Sequence, residues 1–499
     1  MSELQHPNPF AGAEDLAASP IGPLLASSVV AIDDLFLRFL DTHPTPGLAW
    51  GLVDRTGLVH TGAHGCGDLS SKANASGRHV FRIASMTKSF TALSILCLRD
   101  ANKLNLDDPI QRWLNELKID EDLHDDPSPI TIRQLLSMAA GLVEDDPWAD
   151  RQLSMSEEAF SELLAGGIGL DLAPSSAFEY SNLGYAMLGA ILKRAGGHDL
   201  GSFAAERIFR PLQMSATTWK LSEVDPHVLA KGYSRTGGQW VLEPLLDDGA
   251  FGAMGGLAST IEDLARWVTL HLNAWPVGPN PSTSKIAGIK ASTLREMATV
   301  HTVMAHPRNE QPDVTAQGYG YGLMIAHHRQ LGRIVGHSGG LPGFGSRMEW
   351  LPDYGVGLIA LANRTYTPLA DVVRQGLTYL VDKGFVTTEP HVISDDLRRV
   401  YDAIITTYQQ PEQEQTLRDV ALPTYYLDRD DDRKPPDFHA LRTKYGSLVA
   451  SAPPVATGRL RGSWSMRCEA GTFIVEAMLG PSKPHKLQFL RITEEALHG

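Results

Sequence analysis

Val80-Phe81-Arg82-Ile83-Ala84-Ser85-Met86-Thr87-Lys88-Ser89-Phe90-Thr91-Ala92-Leu93-Ser94-Ile95-Leu96-Cys97-Leu98 is an extended apolar entry followed by a run with the pattern of a buried helix. Ser85 and Lys88 stand three residues apart, a spacing that places both side chains on one helical face. A serine hydroxyl is a poor nucleophile at neutral pH and needs an adjacent base and donors for the oxyanion its attack creates. Lys88 supplies the base, and the helix N-terminus supplies backbone N–H groups and the positive end of a dipole. The pair therefore points to acyl transfer. The tetrapeptide alone is weak evidence, because Ser282-Thr283-Ser284-Lys285 repeats it. That copy follows Pro279-Asn280-Pro281, a loop context with no apolar wall to desolvate a lysine.

Two further motifs come later in the chain, Tyr180-Ser181-Asn182 and then His337-Ser338-Gly339. The lysine amine and the tyrosine phenol have reference pKa values of about 10. They act at neutral pH only if they perturb each other, as a desolvated lysine beside a phenol does. Asn182 precedes Leu183-Gly184-Tyr185-Ala186 and also fits a helix N-cap. Gly336-His337-Ser338-Gly339-Gly340 matches a nucleophile elbow, which requires a strand, a sharp turn and then a helix. The residues after Ser338 read instead as strand, glycine-rich turn and strand: Leu341-Pro342-Gly343-Phe344-Gly345, Met348-Glu349-Trp350 and the apolar run Val356 to Leu361. His60-Thr61-Gly62 precedes the serine in a strand ending at His64-Gly65, where a solvated edge is the expected role.

With these motifs the chain resembles the serine β-lactamase and penicillin-binding protein superfamily over about residues 25 to 385. It is most similar to the class C β-lactamase-like branch that includes family VIII carboxylesterases and D-aminopeptidases. Flanking phrases carry the likeness too: Lys103-Leu104-Asn105-Leu106-Asp107-Asp108-Pro109, Ile132-Arg133-Gln134-Leu135-Leu136 and Leu358-Ile359-Ala360-Leu361-Ala362-Asn363. The resemblance implies that Ser85 is acylated, that Lys88 and Tyr180 share the general-base and acid role, and that Asn182 orients the substrate's acyl side chain. It further implies that His337, Ser338 and Gly339 line the cleft on an edge strand, and that the Gly340 N–H joins that of Ser85 in binding the oxyanion. The lactamases carry lysine where this chain has His337. A histidine, with a reference pKa of about 6.5, is mostly neutral at pH 7, so the balance moves from carboxylate-bearing penicillins toward esters or amides. Ser137-Met138-Ala139-Ala140-Gly141 is a second departure from the usual His-Thr-Ser-Gly phrase, and sequence alone assigns it no function.

The 499 residues, 43% hydrophobic and 20% charged, exceed one average domain. The expected division is a tail at 1–20, a hydrolase domain at 21–387 and an accessory α+β unit at 388–499. The expected fold is α+β (mixed), a central antiparallel sheet flanked by helices with a helical lobe over one end. Helices are predicted at Ile21 to Leu40, Ile130 to Met138, Ser156 to Leu164, Leu183 to Ala195, Leu200 to Ile208, from near Thr260, and at Leu369 to Val381. A hairpin joins Leu48 to Val53 and Val59 to Gly62. The last unit is expected to hold helices at Asp395 to Thr407 and Pro436 to Leu448, then three strands with Trp464 and Phe473 in its own core.

A net charge of −14 disfavours nucleic acid and anionic membranes as partners. Three widely spaced cysteines, Cys66, Cys97 and Cys468, indicate neither a disulfide framework nor a zinc cluster, and His327-His328 reads as a solvated strand end. The acidic run Asp428 to Asp432 lacks the glycine and distal glutamate of a calcium loop and reads as a solvated turn; with no HExxH helix or paired Cys-x-x-Cys in the sequence, no metal or other cofactor is expected. Without a leader-like or membrane-spanning stretch the simplest location is cytoplasmic. That counts against a cell-wall transpeptidase.

The leading reading is a serine hydrolase acting on a small-molecule ester, amide or peptide as a carboxylesterase or D-aminopeptidase. Behind it stand a β-lactamase, a DD-carboxypeptidase or an acyltransferase, and a homo-oligomer is open. A catalytically silent scaffold or binding protein is the rival from another class. It has no chemical need of Ser85, Lys88 and Tyr180 together.

Overall fold

The run Val356 to Leu361 has no polar face, which in a sheet requires cover on both sides. A computed structural model supplies that cover and describes residues 22–120, 129–275, 285–286, 288–305, 313–388, 393–427 and 435–494. The tail 1–20, Ser282 to Ser284 of the repeated tetrapeptide, and Asp428 to Asp432 lie outside the described residues.

Among the described residues, nine strands form one sheet: β1 (Gly47–Asp54), β2 (Gly57–Asp68), β3 (Ala73–Asn74), β4 (Thr302–Val303), β5 (Val314–Tyr319), β6 (Met324–His328), β7 (Gly332–Leu341), β8 (Phe344–Leu351) and β9 (Val356–Ala362). Their spatial order is β4-β5-β6-β7-β8-β9-β1-β2-β3, antiparallel throughout. Leu48, Trp50 and Leu52 of β1 and Leu358, Ala360 and Ala362 of β9 face helices α1 (Gly22–Thr42) and, near the end of the unit, Ala370–Asp382. The alternate residues Ala49, Val53, Ile359 and Leu361 enter the larger core on the other face, with Leu264 and Val268. Gly51 lies where a Cβ would meet Ile261 at 2.4 Å, so the helix Ile261–Ala274 can approach β1 closely. α1 and the helix Ala370–Asp382 thus pack together on one face of the sheet.

The lobe over one end is largely helical. It includes α2 (Thr87–Asp100), the one-turn α3 (Asp146–Ala149) and α4 (Asn182–Gly196). Several predicted boundaries differ. The helix expected over Ile130 to Met138 is confined to Ile132–Leu136, because a capping box at Thr131 starts it and Met138, at φ +59°, ends the turn. The stretch Leu200 to Ile208 is helical but changes to a π turn at Ala205–Phe209.

The described residues divide into two compact units, those up to 275 with 285–388, and those from 393 to 494. In the second, helices Asp395–Gln409 and Phe438–Tyr445 accompany a five-stranded antiparallel sheet, and Trp464 and Phe473 lie in its core with Leu397, Ile404 and Tyr408. The predicted helix Pro436 to Leu448 is shorter because Gly446, at φ +76°, stops it. No described helix is long and apolar enough to cross a membrane, and no metal-binding cluster occurs among the described residues.

Candidate active site

The extended entry ends at Ala84, whose φ of +49° is a left-handed conformation that a residue with a Cβ adopts at a cost of about 1–2 kcal/mol. A 3₁₀ turn, Ala84–Met86, then leads into α2. This turn presents Ser85 where the helix begins, and two threonines fasten it: Thr87 Oγ1 accepts from the Leu257 N–H (3.1 Å) and Thr91 donates to the Ala253 carbonyl (2.6 Å). Lys88, one turn along, is fully buried. Its Nζ lies 3.0 Å from Ser85 Oγ, 2.6 Å from Asn182 Oδ1 and 2.9 Å from the Met254 carbonyl. Burial pushes the amine down to about 8, against the opposing pull of Asp146, Asp150 and Asp145.

Tyr180 completes the group. Its hydroxyl hydrogen-bonds Ser85, and the Lys88 ammonium sits 4.9 Å from the centre of its ring. Burial, reinforced by Asp146 and Asp150, holds the phenol well above its ordinary pKa. The two groups are thus driven apart: the amine toward its neutral form, the phenol firmly protonated.

Asn182 is fully buried and opens α4, but the N-cap is Ser181, whose hydroxyl accepts from the Gly184 N–H at 3.2 Å. Asp145 also receives the Asn182 and Leu183 N–H groups at 2.7 and 2.8 Å. The cap reading of Asn182 is corrected accordingly, for its side chain is committed to Lys88 and Asp146 instead. Ser137 to Gly141, without assigned consequence in the sequence, supports this corner: the Met138 carbonyl accepts from Glu179 N (3.0 Å) and its sulfur from Ser181 N (3.3 Å).

The strand β7 is an inner strand of the sheet and not the edge strand expected, but β6 pairs with it only as far as Gly336, so His337 to Gly340 bond β8 on one side and face the cleft with the other. His337 is buried, and burial followed by the nearby Lys88 charge lowers its pKa to about 3. Its Nδ1 faces the Ser338 carbonyl, which can only accept, so Nδ1 carries the proton. Nε2 then accepts from the Tyr319 hydroxyl at 3.0 Å. Ser338 sits within the strand and its hydroxyl accepts from Arg347 at 2.8 Å, so the elbow geometry is absent there. His60 also lies off the site, stacked obliquely on Trp50 with ring centres 5.4 Å apart. His327 is exposed at the end of β6, whereas His328 Nδ1 accepts from the N–H groups of Gln330 and Leu331.

Gly339 makes the juxtaposition possible. A Cβ there would fall 2.3 Å from the Ile83 carbonyl and 2.3 Å from Ser346 Oγ, and 3.0 Å from the Ala84 Cβ. Gly339→Ala must push β7 away from the nucleophile turn. It is expected to cost about 1–3 kcal/mol of stability and to slow turnover; an unchanged denaturation midpoint and rate would show that the strand yields freely.

Sequence reasoning missed the acidic side of the cleft. Asp146 and Asp150 line it with Ser85, and Asp150 accepts from the Tyr366 hydroxyl at 2.8 Å. Burial raises Asp150 to about 6 and also raises Asp145. The signal was Asp145-Asp146-Pro147-Trp148-Ala149-Asp150, acids at one-turn spacing, which in sequence look like a solvated surface turn. The cavity of about 1190 Å³ also has an apolar wall of Phe178, Met304, Val314, Met324 and Ile325.

A family model described as Beta-lactamase matches residues 32–382. Among solved structures, the octameric penicillin-binding protein homologue from Pyrococcus abyssi aligns with a TM-score of 0.61 at 19% identity, covering 93% of this chain and 100% of that one. EstCE1, a hydrolase with promiscuous acyltransferase activity, gives 0.57 at 20% identity over 70% of this chain and 98% of its own. A D-stereospecific amidohydrolase from Streptomyces sp. gives 0.52 at 24% identity over 68% and 95%.

Proposed function

The chain belongs to the beta-lactamase family, and from that premise we propose that it is a serine hydrolase that cleaves esters or amides through an acyl-enzyme on Ser85. One observation carries the reading: a fully buried Lys88 amine, biased toward its neutral form, 3.0 Å from the Ser85 hydroxyl. In this reading Ser85 Oγ attacks the carbonyl carbon as Lys88 Nζ takes its proton. The N–H groups of Ser85 and Gly340 receive the oxyanion. The leaving oxygen or nitrogen departs with a proton passed from Lys88 through the protonated Tyr180, and water then attacks the acyl carbon to restore Ser85 and release the acid. His337, Ser338 and Gly339 form the wall against which the substrate lies, and Asn182 acts through Lys88.

Neutral His337 offers a substrate carboxylate no cation, and the two guanidiniums that line the cavity, Arg347 and Arg374, are paired with Glu349, which favours esters and amides over penicillin-like substrates. The apolar wall suits an aliphatic or aromatic acyl group. A carboxylesterase is the leading form; the hydrolase and acyltransferase activities named for EstCE1 support acyl transfer, and the amidohydrolase activity named for the Streptomyces protein supports an amide as the other substrate class. An octameric relative supports self-association of this chain as well. Mixing the protein with p-nitrophenyl butyrate and following intact mass is expected to show a transient butyryl adduct, mapped by digestion to the peptide containing Ser85, with release of p-nitrophenol. An adduct elsewhere, or neither adduct nor turnover across short acyl esters and anilides, would defeat the proposal and return weight to the silent scaffold.

A further inference from the structure

Lys88 reaches beyond Ser85 through a chain of directed hydrogen bonds. Its Nζ donates to Asn182 Oδ1 at 2.6 Å, and Asn182 Nδ2 donates to Asp146 Oδ1 at 2.8 Å. The order of donors and acceptors has a cause. Asp146 Oδ1 accepts in this pair, so the NH₂ of Asn182 turns toward Asp146 and its carbonyl oxygen toward the lysine, whose amine donates. A reversed amide would set its own N–H groups against the Nζ donors, and Lys88 would keep its bond to the Met254 carbonyl but lose the shorter of the two bonds that together fix its direction toward Ser85. α3 begins at Asp146, so the backbone of that turn sets where the carboxylate stands.

We propose that Asp146 is a positioning residue of the acyl-transfer site: through the amide of Asn182 it fixes the direction of Lys88 and supplies part of the negative field the amine feels. The inference rests on the serine-hydrolase reading for its consequence in turnover, but its physical content concerns Lys88 alone. Asp145 and Asp150 also bear on Lys88, from the loop before α3 and from its end. The Tyr180 and Tyr185 rings face the amine at 4.9 and 5.6 Å, and His337 approaches from β7. Asp145 is occupied in capping α4 and Asp150 in accepting from Tyr366. Asp146 is the acid bonded to the amide that holds the lysine.

The test titrates Lys88 directly by NMR in full-length protein labelled with [ε-¹³C]lysine, the resonance assigned by its loss in Lys88→Arg, alongside the pH dependence of kcat/KM for p-nitrophenyl butyrate. In Asp146→Asn the Lys88 midpoint is expected to fall by about one pH unit, since an opposing charge favours the ammonium. The rising limb of the rate profile should move down with it, and the plateau should drop roughly tenfold as the amide of Asn182 loses its fixed orientation. Asp146→Glu should restore the midpoint. If Asp146→Asn does not fold, Asp146→Ser removes the charge while keeping a side chain suited to a helix start. An unchanged midpoint in the charge-removing variant, or a Glu variant displaced as far as the Asn variant, overturns the proposal. If the parent protein shows no Ser85-dependent turnover, the hydrolase reading falls, while the NMR midpoint still decides the role of Asp146.

Discussion

Ser85→Ala is expected to lose roughly 10⁴-fold or more in kcat/KM toward p-nitrophenyl butyrate, and to lose the acyl adduct altogether. The size reflects the absence of a substitute at the same place. Ser89, on the same helix, donates to the Met86 carbonyl at 2.8 Å. Thr87 Oγ1 receives the Leu257 N–H and Thr91 donates to Ala253. Ser338 lines the cavity, but the group bonded to its hydroxyl is the Arg347 guanidinium, a permanent cation that cannot take its proton. None of these hydroxyls has an amine three residues along, so the variant retains the binding and oxyanion contribution alone. The substitution removes one oxygen from a site with 9% exposure and leaves the strained Ala84 in place, so the fold is expected to stay intact. Far-ultraviolet dichroism and the denaturation midpoint check that the loss is chemical. Activity surviving in Ser85→Ala would place the nucleophile elsewhere and make Ser338 the first residue to replace.

The residues that sequence could read are those whose chemistry is local. Ser85 and Lys88 meet because a helical turn brings residues three apart together, here the 3₁₀ turn that carries Ser85 into α2, and their polar atoms lie 3.0 Å apart. The two-sided burial of β9 was legible in its unbroken apolar run, and the hairpin of β1 and β2 in Asp54-Arg55-Thr56-Gly57. The parts that were not legible depend on contacts between segments far apart in sequence. Asp146 and Asp150 are ordinary surface acids until α4 packs beside them, and Tyr319 is an ordinary strand aromatic until β7 sets His337 against it. The cap of α4 was misplaced by one residue because Ser181 and Asn182 are both good caps, and the choice was made by Lys88 and Asp146 taking the asparagine side chain. The left-handed Ala84 had no sequence signal, since alanine is the residue that least suggests a positive φ.

The lysine decides whether that geometry works as chemistry. In the parent protein kcat/KM is expected to rise with pH and level off above about 8. The attacking hydroxyl needs a neutral amine, and burial has brought the Lys88 pKa down to that value from its ordinary 10.5. Lys88→Ala should lower kcat/KM roughly 10³-fold, the range of general-base contributions, and abolish this rising limb. It also withdraws a counter-charge from the acids, so Asp150, already raised to about 6 with Lys88 present, should rise further. Lys88→Arg separates the roles of charge and base. A guanidinium preserves the positive field but does not give up its proton in water, so it cannot act as base at any working pH. Both variants should therefore be similarly inactive in acylation if the amine is the base, with the arginine form keeping Asp150 closer to its parent pKa. An arginine variant that retained most of the rate would mean that the cation alone suffices, and would transfer the proton-accepting role to Tyr180. In that case a tyrosine whose phenol is held protonated by burial and by Asp146 and Asp150 would have to ionise beside those acids. The rising limb would then move well above pH 8. The position of that limb in the parent and in Lys88→Arg thus identifies which of the two groups bonded to Ser85 accepts its proton.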